Sequence, residues 1–212
     1  MRADFVKTLP RGDLVSVPPT TVGSMPRPLR IQTPGAIYHI TSRGNRRQPI
    51  YLENNDRIFH IWWFNKVATE AEWEVFTYVQ MTNHFHFLVR TRKANLAVGM
   101  QRLNGLYGQF FNHRHGFTGH VFQGRFHSAL VESESHLLEC ARYDDLNPVR
   151  AGMCDHPLEW RWGSLRAVVG LVPMPDFLEP LWLLGQFAPD RIEAQQRYLA
   201  FVEDRLEQRH VA

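Results

Sequence analysis

The segment 73–90 constrains the fold more than any other part of the chain. It contains two β-type runs, "WEVFTYVQM" (73–81) and "HFHFLVR" (84–90), separated only by Thr82 and Asn83. Runs rich in aromatic and β-branched residues that flank a two-residue polar break are typical of a hairpin. The segment therefore predicts two antiparallel strands joined by a tight turn.

The second of these strands carries two kinds of side chain in strict alternation. Because successive side chains of a strand point to opposite faces, Phe85 and Phe87 lie on one face, and His84 and His86 lie on the other. The phenylalanine face suits packing against helices, and the histidine face is then expected to be the open face of the sheet. Two imidazoles about 7 Å apart along a strand can converge on one metal ion, or they can be half-buried histidines with ordinary hydrogen bonds. The short pattern leaves both interpretations open.

The other periodic segments complete a β-α-β-β-α-β-α order. Strands are predicted at 36–43 and 124–131, and helices at 54–70, 95–116 and 133–147, the last ending before Pro148. This order predicts an α+β fold with a ferredoxin-like βαββαβ core. An additional C-terminal helix carries a tyrosine, and a helical tail follows it.

Composition divides the chain into three parts. Residues 1–26 are rich in proline, glycine, serine and threonine and predict a disordered extension. Residues 27–168 form the predicted domain, and 169–212 the helical tail. No apolar run approaches the roughly 18 residues of a membrane span, there is no secretory signal, and the two cysteines lack CxxC spacing. These features predict a cytoplasmic protein with reduced thiols.

Charge is distributed unevenly along the chain. The net charge is only +3, yet residues 75–131 hold six Lys/Arg and six His with no Asp or Glu. An acid-free stretch of this length within a folded region indicates a surface for an anion, and a polyphosphate is the usual candidate.

The segment "RYDDLNPVRAG" (142–152) holds a second group of polar residues. Tyr143 and Asn147 are four residues apart, so they share one face of the predicted helix. Opposed to the two histidines, they would make a nucleophile-and-metal site. Taken singly, Tyr143 is also compatible with a tyrosine that packs in the core, and Asn147 with a turn residue at the end of the helix.

Several segments together resemble one family. They are "GAIYHITSRGNRRQPIY", "MTNHFHFLV", "LNGLYGQFFNHRHGFTGHVFQGRFHSALV" and "RYDDLNPVRAG". In order and spacing, over roughly residues 27–168, they resemble the IS200-like single-tyrosine transposases, and more narrowly those related to the REP-associated transposases. The resemblance implies a histidine–hydrophobic–histidine (HUH) endonuclease on a ferredoxin-like fold. By position, His84 and His86 match the metal pair, Tyr143 the nucleophile and Asn147 the third ligand.

The resemblance also implies a chemistry and partners. A divalent metal, Mg²⁺ or Mn²⁺, would assist attack of the tyrosine on single-stranded or hairpin DNA, forming a covalent phosphotyrosine to a 5′-phosphate. Insertion-sequence members act as dimers and REP-associated relatives as monomers, so a homodimer is possible. The chain departs from the family pattern at Thr82, Asp144 and Asp145. Two carboxylates beside the tyrosine are expected to repel DNA or to offer a metal an extra oxygen.

Basic residues are predicted to hold the DNA strand, because arginine grips phosphate in a fork. The predicted DNA contacts are Arg43, Arg46, Arg47, Arg90, Arg92, Lys93 and Arg125. Two other functions are compatible with the sequence. One is a domesticated, non-catalytic protein that binds DNA hairpins on the same fold, and the other is a metal-dependent hydrolase of small phosphates.

Overall fold

The computed structural model describes residues 32–210, with side chains to residue 206, so the predicted extension 1–26 lies outside the described residues. The strands are β1 (Ile37–Arg43), β2 (Trp73–Gln80), β3 (His84–Thr91) and β4 (His127–Val131). The helices are α1 (Asn54–Glu70), α2 (Leu96–His115), α3 (Glu134–Arg150), α4 (Leu165–Val168), α5 (Leu181–Leu184) and α6 (Arg191–His210). None of these helices is long and apolar enough to cross a membrane.

The four strands form one antiparallel sheet in the order β2-β3-β1-β4. With α1 after β1 and α2 after β3, this is the predicted ferredoxin-like α+β arrangement. The predicted hairpin is confirmed, since β2 and β3 pair along most of their length. β1 lies at the centre of the sheet, between β3 and β4, so residues of β1 and β3 stand side by side.

One face of the sheet packs against α1 and α2 through aromatic side chains. Phe85 and Phe87 are fully buried there. The ring of Phe64 in α1 stacks on that of Phe87, with centroids 3.7 Å apart. This is the face that the alternation in β3 assigns to the core, and its burial accounts for much of the hydrophobic stabilisation.

The other face is not open, although the sequence predicted that it would be. α3 lies across it and buries Leu88 completely. The reason is the apolar stripe of α3, in which Leu137, Cys140 and Ala141 share one face of the helix and are buried. The histidines of β3 therefore face a helix rather than solvent.

α3 also continues past the proline that was predicted to end it. Pro148 lies inside the helix, which runs to Arg150. Proline has no N–H to donate to the carbonyl of Asp144, but the helical bonds resume at once, as Ala151 N donates to Asn147 O at 3.0 Å. Because only one bond is lost, the helix carries Asn147 on the same face as the tyrosine one turn earlier.

The C-terminal helix packs on α3. The Tyr198 hydroxyl donates to Asp145 Oδ2 at 2.5 Å, and the guanidinium of Arg142 lies 4.2 Å from the centre of the Phe201 ring. The domain boundary after residue 168 stays a prediction, and these contacts tie the predicted tail to the helix that carries the candidate nucleophile.

The outer edge of β2 is covered by the chain that follows α3. Gln80 N donates to Trp162 O at 2.8 Å, and Ser164 N to Tyr78 O at 2.9 Å. These bonds satisfy backbone groups that would otherwise be exposed at a sheet edge, and they hold β2 and its turn in place next to the site.

Candidate active site

Two neighbouring strands present polar side chains on the α3 face of the sheet. In the β1–β3 ladder, Thr41 is opposite His86 and Arg43 is opposite His84. Residues directly opposite each other point to the same face, and His39 shares that face because it is two residues before Thr41. The sheet thus gathers three histidines from two strands.

α3 supplies the remaining members of the site. Tyr143 is 41% exposed, and its ring centre lies 6.1 Å from that of His39 and 5.7 Å from that of His86. The guanidinium of Arg150, two turns further along the helix, lies 4.9 Å from the Tyr143 ring centre. An accessible phenol with imidazoles beneath it and a cation beside it is suited to meet an anionic substrate.

His84 has one ring nitrogen fixed by the β2–β3 turn. Its Nδ1 lies 2.7 Å from Asn83 Oδ1, and the amide nitrogen of Asn83 donates to Arg47 O at 2.8 Å. Since the amide oxygen only accepts, Nδ1 of His84 carries the proton and Nε2 keeps a lone pair. Asn83 was read in the sequence only as a turn residue.

His86 has polar neighbours at both ring nitrogens. Nε2 lies 3.3 Å from the side-chain amide of Asn147. Nδ1 lies 3.2 Å from Thr41 Oγ1 and 3.2 Å from His39 Nε2. A rotation of the Asn147 amide would bring its oxygen beside Nε2, so the amide oxygen and the imidazole lone pair can serve one ion together.

The carboxylate of Asp144 points into the site rather than out toward DNA. It is fully buried, lies 2.8 Å from His39 Nε2 and accepts from the Thr77 hydroxyl at 3.3 Å. His39 Nε2, His86 Nδ1 and Asp144 Oδ1 all lie within 4.8 Å of one another and form the His/Cys/Asp/Glu group among the described residues that could hold an ion. The sequence offered Asp144 only as a further oxygen for a metal, and nothing in the sequence pattern indicated that Thr77 belongs to the site.

Asp145 faces the opposite way, toward α6. Burial raises the pKa of Asp145 to about 8, against the opposing effect of the hydrogen bond from Tyr198. The side chains of Asp144 and Asp145 are thus both enclosed. Asp144 is close enough to His39 and His86 to offer a metal an extra oxygen, and the repulsion of DNA stays a prediction. Consecutive residues of a helix point about 100° apart, which explains how neighbours reach different partners.

Burial sets the charge state of the histidines. It lowers the pKa of His84 and of His86 to about 4 each, so both are neutral near pH 7. Burial also acts to lower the pKa of His39, but the charge and hydrogen bond of Asp144 outweigh it and the net shift is upward. Neutral imidazole is the form that ligates metals, and the donor set of two imidazoles and one amide oxygen fits a divalent ion.

The basic turn after β1 lies beside His84. Gly44 N donates to Asn83 O at 2.8 Å, and Gln123 N donates to Arg43 O at 2.9 Å. Arg46 and Arg47 both adopt left-handed backbone conformations, with φ of 53° and 60°. Consecutive non-glycine residues in this region are strained, and such strain often accompanies function.

The predicted DNA contacts fall into two groups. Arg43, Arg46, Arg47 and Arg125 are exposed and form no ion pair within residues 32–206. Arg90, Arg92 and Lys93 instead pair with acids of the preceding segment. The two arginines share Glu74, at 2.8 and 3.1 Å, and the lysine pairs with Glu72.

This second group lies far from the site. Arg90 is six residues along β3 from His84, or about 20 Å at the rise of a strand. Its guanidinium also lies 4.4 Å from the centre of the Trp182 ring. The acid-free stretch in the sequence therefore does not form one continuous cationic surface, because β2 brings its acids alongside.

Comparisons with known proteins place the chain in a family. The profile of the family described as "Transposase IS200 like" matches residues 32–143, more than half of the chain and ending at the candidate nucleophile. The protein belongs to the IS200-like transposase family. A search of curated proteins found no match.

A solved structure shares the fold. It is described as a REP-associated tyrosine transposase bound to a REP hairpin; it is 19% identical, the alignment covers 73% of this chain and 94% of that one, and the TM-score is 0.58. At this identity the likeness establishes the ferredoxin-like architecture, and the family match establishes the class of protein.

Proposed function

We propose that this transposase is a metal-dependent single-stranded DNA endonuclease and strand transferase, with Tyr143 as its nucleophile. The observation that carries the proposal is the position of the exposed Tyr143 ring, 5.7 Å from the ring of His86, whose Nε2 lies beside Asn147. A nucleophile, two neutral imidazoles and an amide are the parts that phosphodiester cleavage requires.

His84, His86 and Asn147 would hold the metal, Mg²⁺ or Mn²⁺. His84 Nε2 retains its lone pair because Nδ1 carries the proton and donates it in a hydrogen bond to Asn83 Oδ1, and the Asn147 amide lies 3.3 Å from His86 Nε2. A divalent ion bound there would neutralise a nonbridging phosphate oxygen and polarise the phosphorus. The chain's own part is to hold two neutral donors on a rigid strand and one on a helix that crosses it.

Tyr143 would perform the covalent step. Its hydroxyl releases a proton to solvent and its oxygen attacks phosphorus, the P–O bond to the leaving strand breaks, and the leaving oxygen takes up a proton from solvent, so that this strand departs with a hydroxyl end. The resulting phosphotyrosine conserves the ester bond energy, so the strand can be rejoined by the reverse attack without a nucleotide cofactor. Arg150 beside the ring contributes positive charge as the phenol proton is lost.

Hairpin or single-stranded DNA is the proposed partner. The exposed Arg43, Arg46 and Arg47 flank His84 through the β1–β3 register and the Asn83 contacts. Arginines on a strained turn next to a metal site are placed to hold phosphates near the scissile bond. The similar solved structure, which is bound to a REP hairpin, supports this class of ligand.

One chain supplies the complete set of residues. Tyr143 stands over the histidines of its own β1 and β3, so cleavage would not require an exchange of helices between subunits. We therefore propose a site that works within a single chain.

The proposal is tested with labelled hairpin DNA from sequence flanking the gene, incubated with Mn²⁺ or EDTA and separated on denaturing gels. A protein–DNA adduct is expected that requires metal and disappears in Tyr143→Phe and His84→Ala. DNA binding without any adduct would contradict the proposal and favour the non-catalytic hairpin-binding function. Turnover of small phosphate esters without DNA would favour the hydrolase.

A further inference from the structure

We propose that Asp144, held by His39, fixes the tautomer of His86 so that its Nε2 lone pair faces Asn147. Asp144 is thus a positioning residue that acts on the metal through His86. The inference rests on the proposed function in taking His84, His86 and Asn147 as the ligands. It concerns residues that the family resemblance did not assign.

The surroundings of His86 Nδ1 carry the argument. This nitrogen lies 3.5 Å from Asp144 Oδ1, 3.2 Å from Thr41 Oγ1 and 3.2 Å from His39 Nε2. A neutral imidazole bears its proton on one nitrogen only. A lone pair on Nδ1 would face the lone pairs of a carboxylate in a buried site, whereas a proton there is attracted to Asp144. The carboxylate thus selects the tautomer that frees Nε2.

Asp144 is itself held in place. The carboxylate is fully buried, so its lone pairs need donors. His39 Nε2 lies 2.8 Å from Oδ1, and the Thr77 hydroxyl donates to Oδ2 at 3.3 Å. The His39 ring also stacks on the His86 ring, with centroids 5.2 Å apart and planes 15° apart. His39 therefore fixes the position of both the carboxylate and the imidazole plane.

The two proposed histidine ligands are oriented by the same principle. Asn83 Oδ1 accepts from Nδ1 of His84 at 2.7 Å, and Asp144 Oδ1 lies 3.5 Å from Nδ1 of His86, where it favours a proton on that nitrogen. Each imidazole then directs Nε2 toward the ion, an arrangement that raises its basicity as a ligand. An oxygen acceptor behind each ligand is what a preorganised site requires.

A competing arrangement uses the same atoms. His39 Nε2, His86 Nδ1 and Asp144 Oδ1 are close enough together to bind an ion directly. An ion held there would lie beneath α3, against a fully buried carboxylate, and would have no access to a DNA phosphate. The two arrangements differ in which nitrogen of His86 ligates, and that difference can be measured.

The test uses ¹⁵N-histidine-labelled full-length protein with Zn²⁺ and no DNA. Long-range ¹H–¹⁵N spectra report which nitrogens are protonated and which are ligated. We expect Nε2 ligation with Nδ1 protonated for both His84 and His86. Nδ1 ligation of His86 would overturn the proposal and establish the competing arrangement.

Variants measure the size of the effect by calorimetric titration with Zn²⁺ and Mn²⁺. Asp144→Asn is expected to weaken binding roughly 10–100-fold, the usual loss when the partner of a ligating histidine is removed, and to give a tautomer mixture at His86. Asp145→Asn is the matched control, since Asp145 contacts Tyr198 instead, and it should bind as the wild type does. Wild-type affinity in Asp144→Asn would overturn the proposal.

The test does not depend on the folding of Asp144→Asn. If Asp144→Asn fails to fold, the wild-type spectrum still decides between the nitrogens, and His39→Gln, which retains a donor toward Asp144, should weaken binding by up to about tenfold. The test is independent of DNA cleavage. Wild-type Zn²⁺ binding with the expected tautomers but no DNA adduct would refute the endonuclease alone, whereas an adduct with unchanged affinity in Asp144→Asn would refute this inference alone.

Discussion

The two faces of β3 differ in their role: one packs in the hydrophobic core, and the other carries the candidate site. On one face, Phe85 and Phe87 of β3 are sealed beneath α1 and α2. On the other face, His86 meets the polar side of α3, next to an exposed tyrosine, and His84 lies beside His86. Adjacent residues of β3 therefore belong to the hydrophobic core and to the candidate active site in turn.

A histidine on each face shows what makes the difference. His60 of α1 is as buried as His86, and burial lowers its pKa to about 3. Its Nδ1 accepts from the Tyr51 hydroxyl at 2.8 Å, its ring lies 4.6 Å from that of Phe85, and Nε2 has no hydrogen-bond partner within the described part of the chain. Burial and neutrality are common to both histidines. Each also has a side-chain amide beside one ring nitrogen, Gln80 for His60 and Asn147 for His86. An adjacent carboxylate and an accessible nucleophile distinguish His86.

The largest expected effect is on the rate of adduct formation, and it separates these two histidines. His86→Ala removes a proposed ligand, and a metal supplies several kcal/mol to the transition state, so adduct formation should slow by about 10³-fold or more. His60→Gln, on the other face, should retain adduct formation within about tenfold per folded molecule. Rates from quenched-time-course gels measure both. Equal losses in the two variants would show that the faces are not functionally separate.

The second prediction is that a substitution on the core face lowers stability, whereas a substitution at the candidate nucleophile lowers only activity. Phe87→Ala removes a fully buried ring that stacks on Phe64, and the free energy of unfolding should fall by about 3–5 kcal/mol. Tyr143→Phe, at an exposed position, should change it by no more than about 0.5 kcal/mol while abolishing the adduct. Urea unfolding followed by circular dichroism measures both. A large stability loss in Tyr143→Phe would contradict the division of roles.

The third prediction concerns pH. His60 has a pKa of about 3 in the folded protein against about 6.5 when unfolded, so below pH 6.5 the unfolded chain binds a proton that the folded chain excludes. The stabilising effect of a neutral His60 is complete above pH 6.5 and is lost as the pH falls toward 3. The slope is up to about 1.4 kcal/mol per pH unit.

His60→Gln provides the control for this effect, because glutamine retains an acceptor for Tyr51 and does not titrate. The free energy of unfolding of the wild type should decline more steeply than that of the variant between pH 7.5 and pH 5. Parallel curves from urea titrations at several pH values would contradict the burial argument.

The smallest expected effect tests which arginines contact DNA. Arg46→Asn introduces a residue that tolerates the left-handed backbone and removes an exposed guanidinium that has no ion-pair partner in the described part of the chain. Anisotropy titrations with hairpin DNA should show weaker binding and a salt slope reduced by about one. Arg92→Asn, which removes a guanidinium already paired with Glu74, should change neither. The reverse result would move the proposed DNA path to the far end of β3.

Local pattern predicted most of the fold. The alternation in β3, the helical spacing of α1 and the tight turn at Thr82 and Asn83 are properties of neighbouring residues, and the structure confirms each of them. The helix end predicted at Pro148 was wrong, because one missing hydrogen bond costs less than the packing that holds the last turn of α3. In the structure, Tyr143 and Asn147 both lie close to His86, as the sequence predicted from their shared helix face.

Long-range contacts decided the rest. The pairing of Arg90 and Arg92 with Glu74 depends on the register between β2 and β3, and no count of charges along the chain contains that register. Asp144 appeared in the sequence as an acid beside a nucleophile, and only the crossing of α3 over the sheet directs it onto His39.

The sequence by itself therefore determined the order of elements and the two-faced strand, because periodicity and spacing along the chain encode them, and the family resemblance indicated the candidate nucleophile with its histidines. The tertiary structure alone decided which charges are paired, which carboxylates are buried and which side chains lie beside each histidine nitrogen. Those properties depend on distances between residues far apart in sequence, such as the 2.8 Å between His39 Nε2 and Asp144 Oδ1. Burial strengthens the electrostatic interactions at these distances, because the interior has a low dielectric constant.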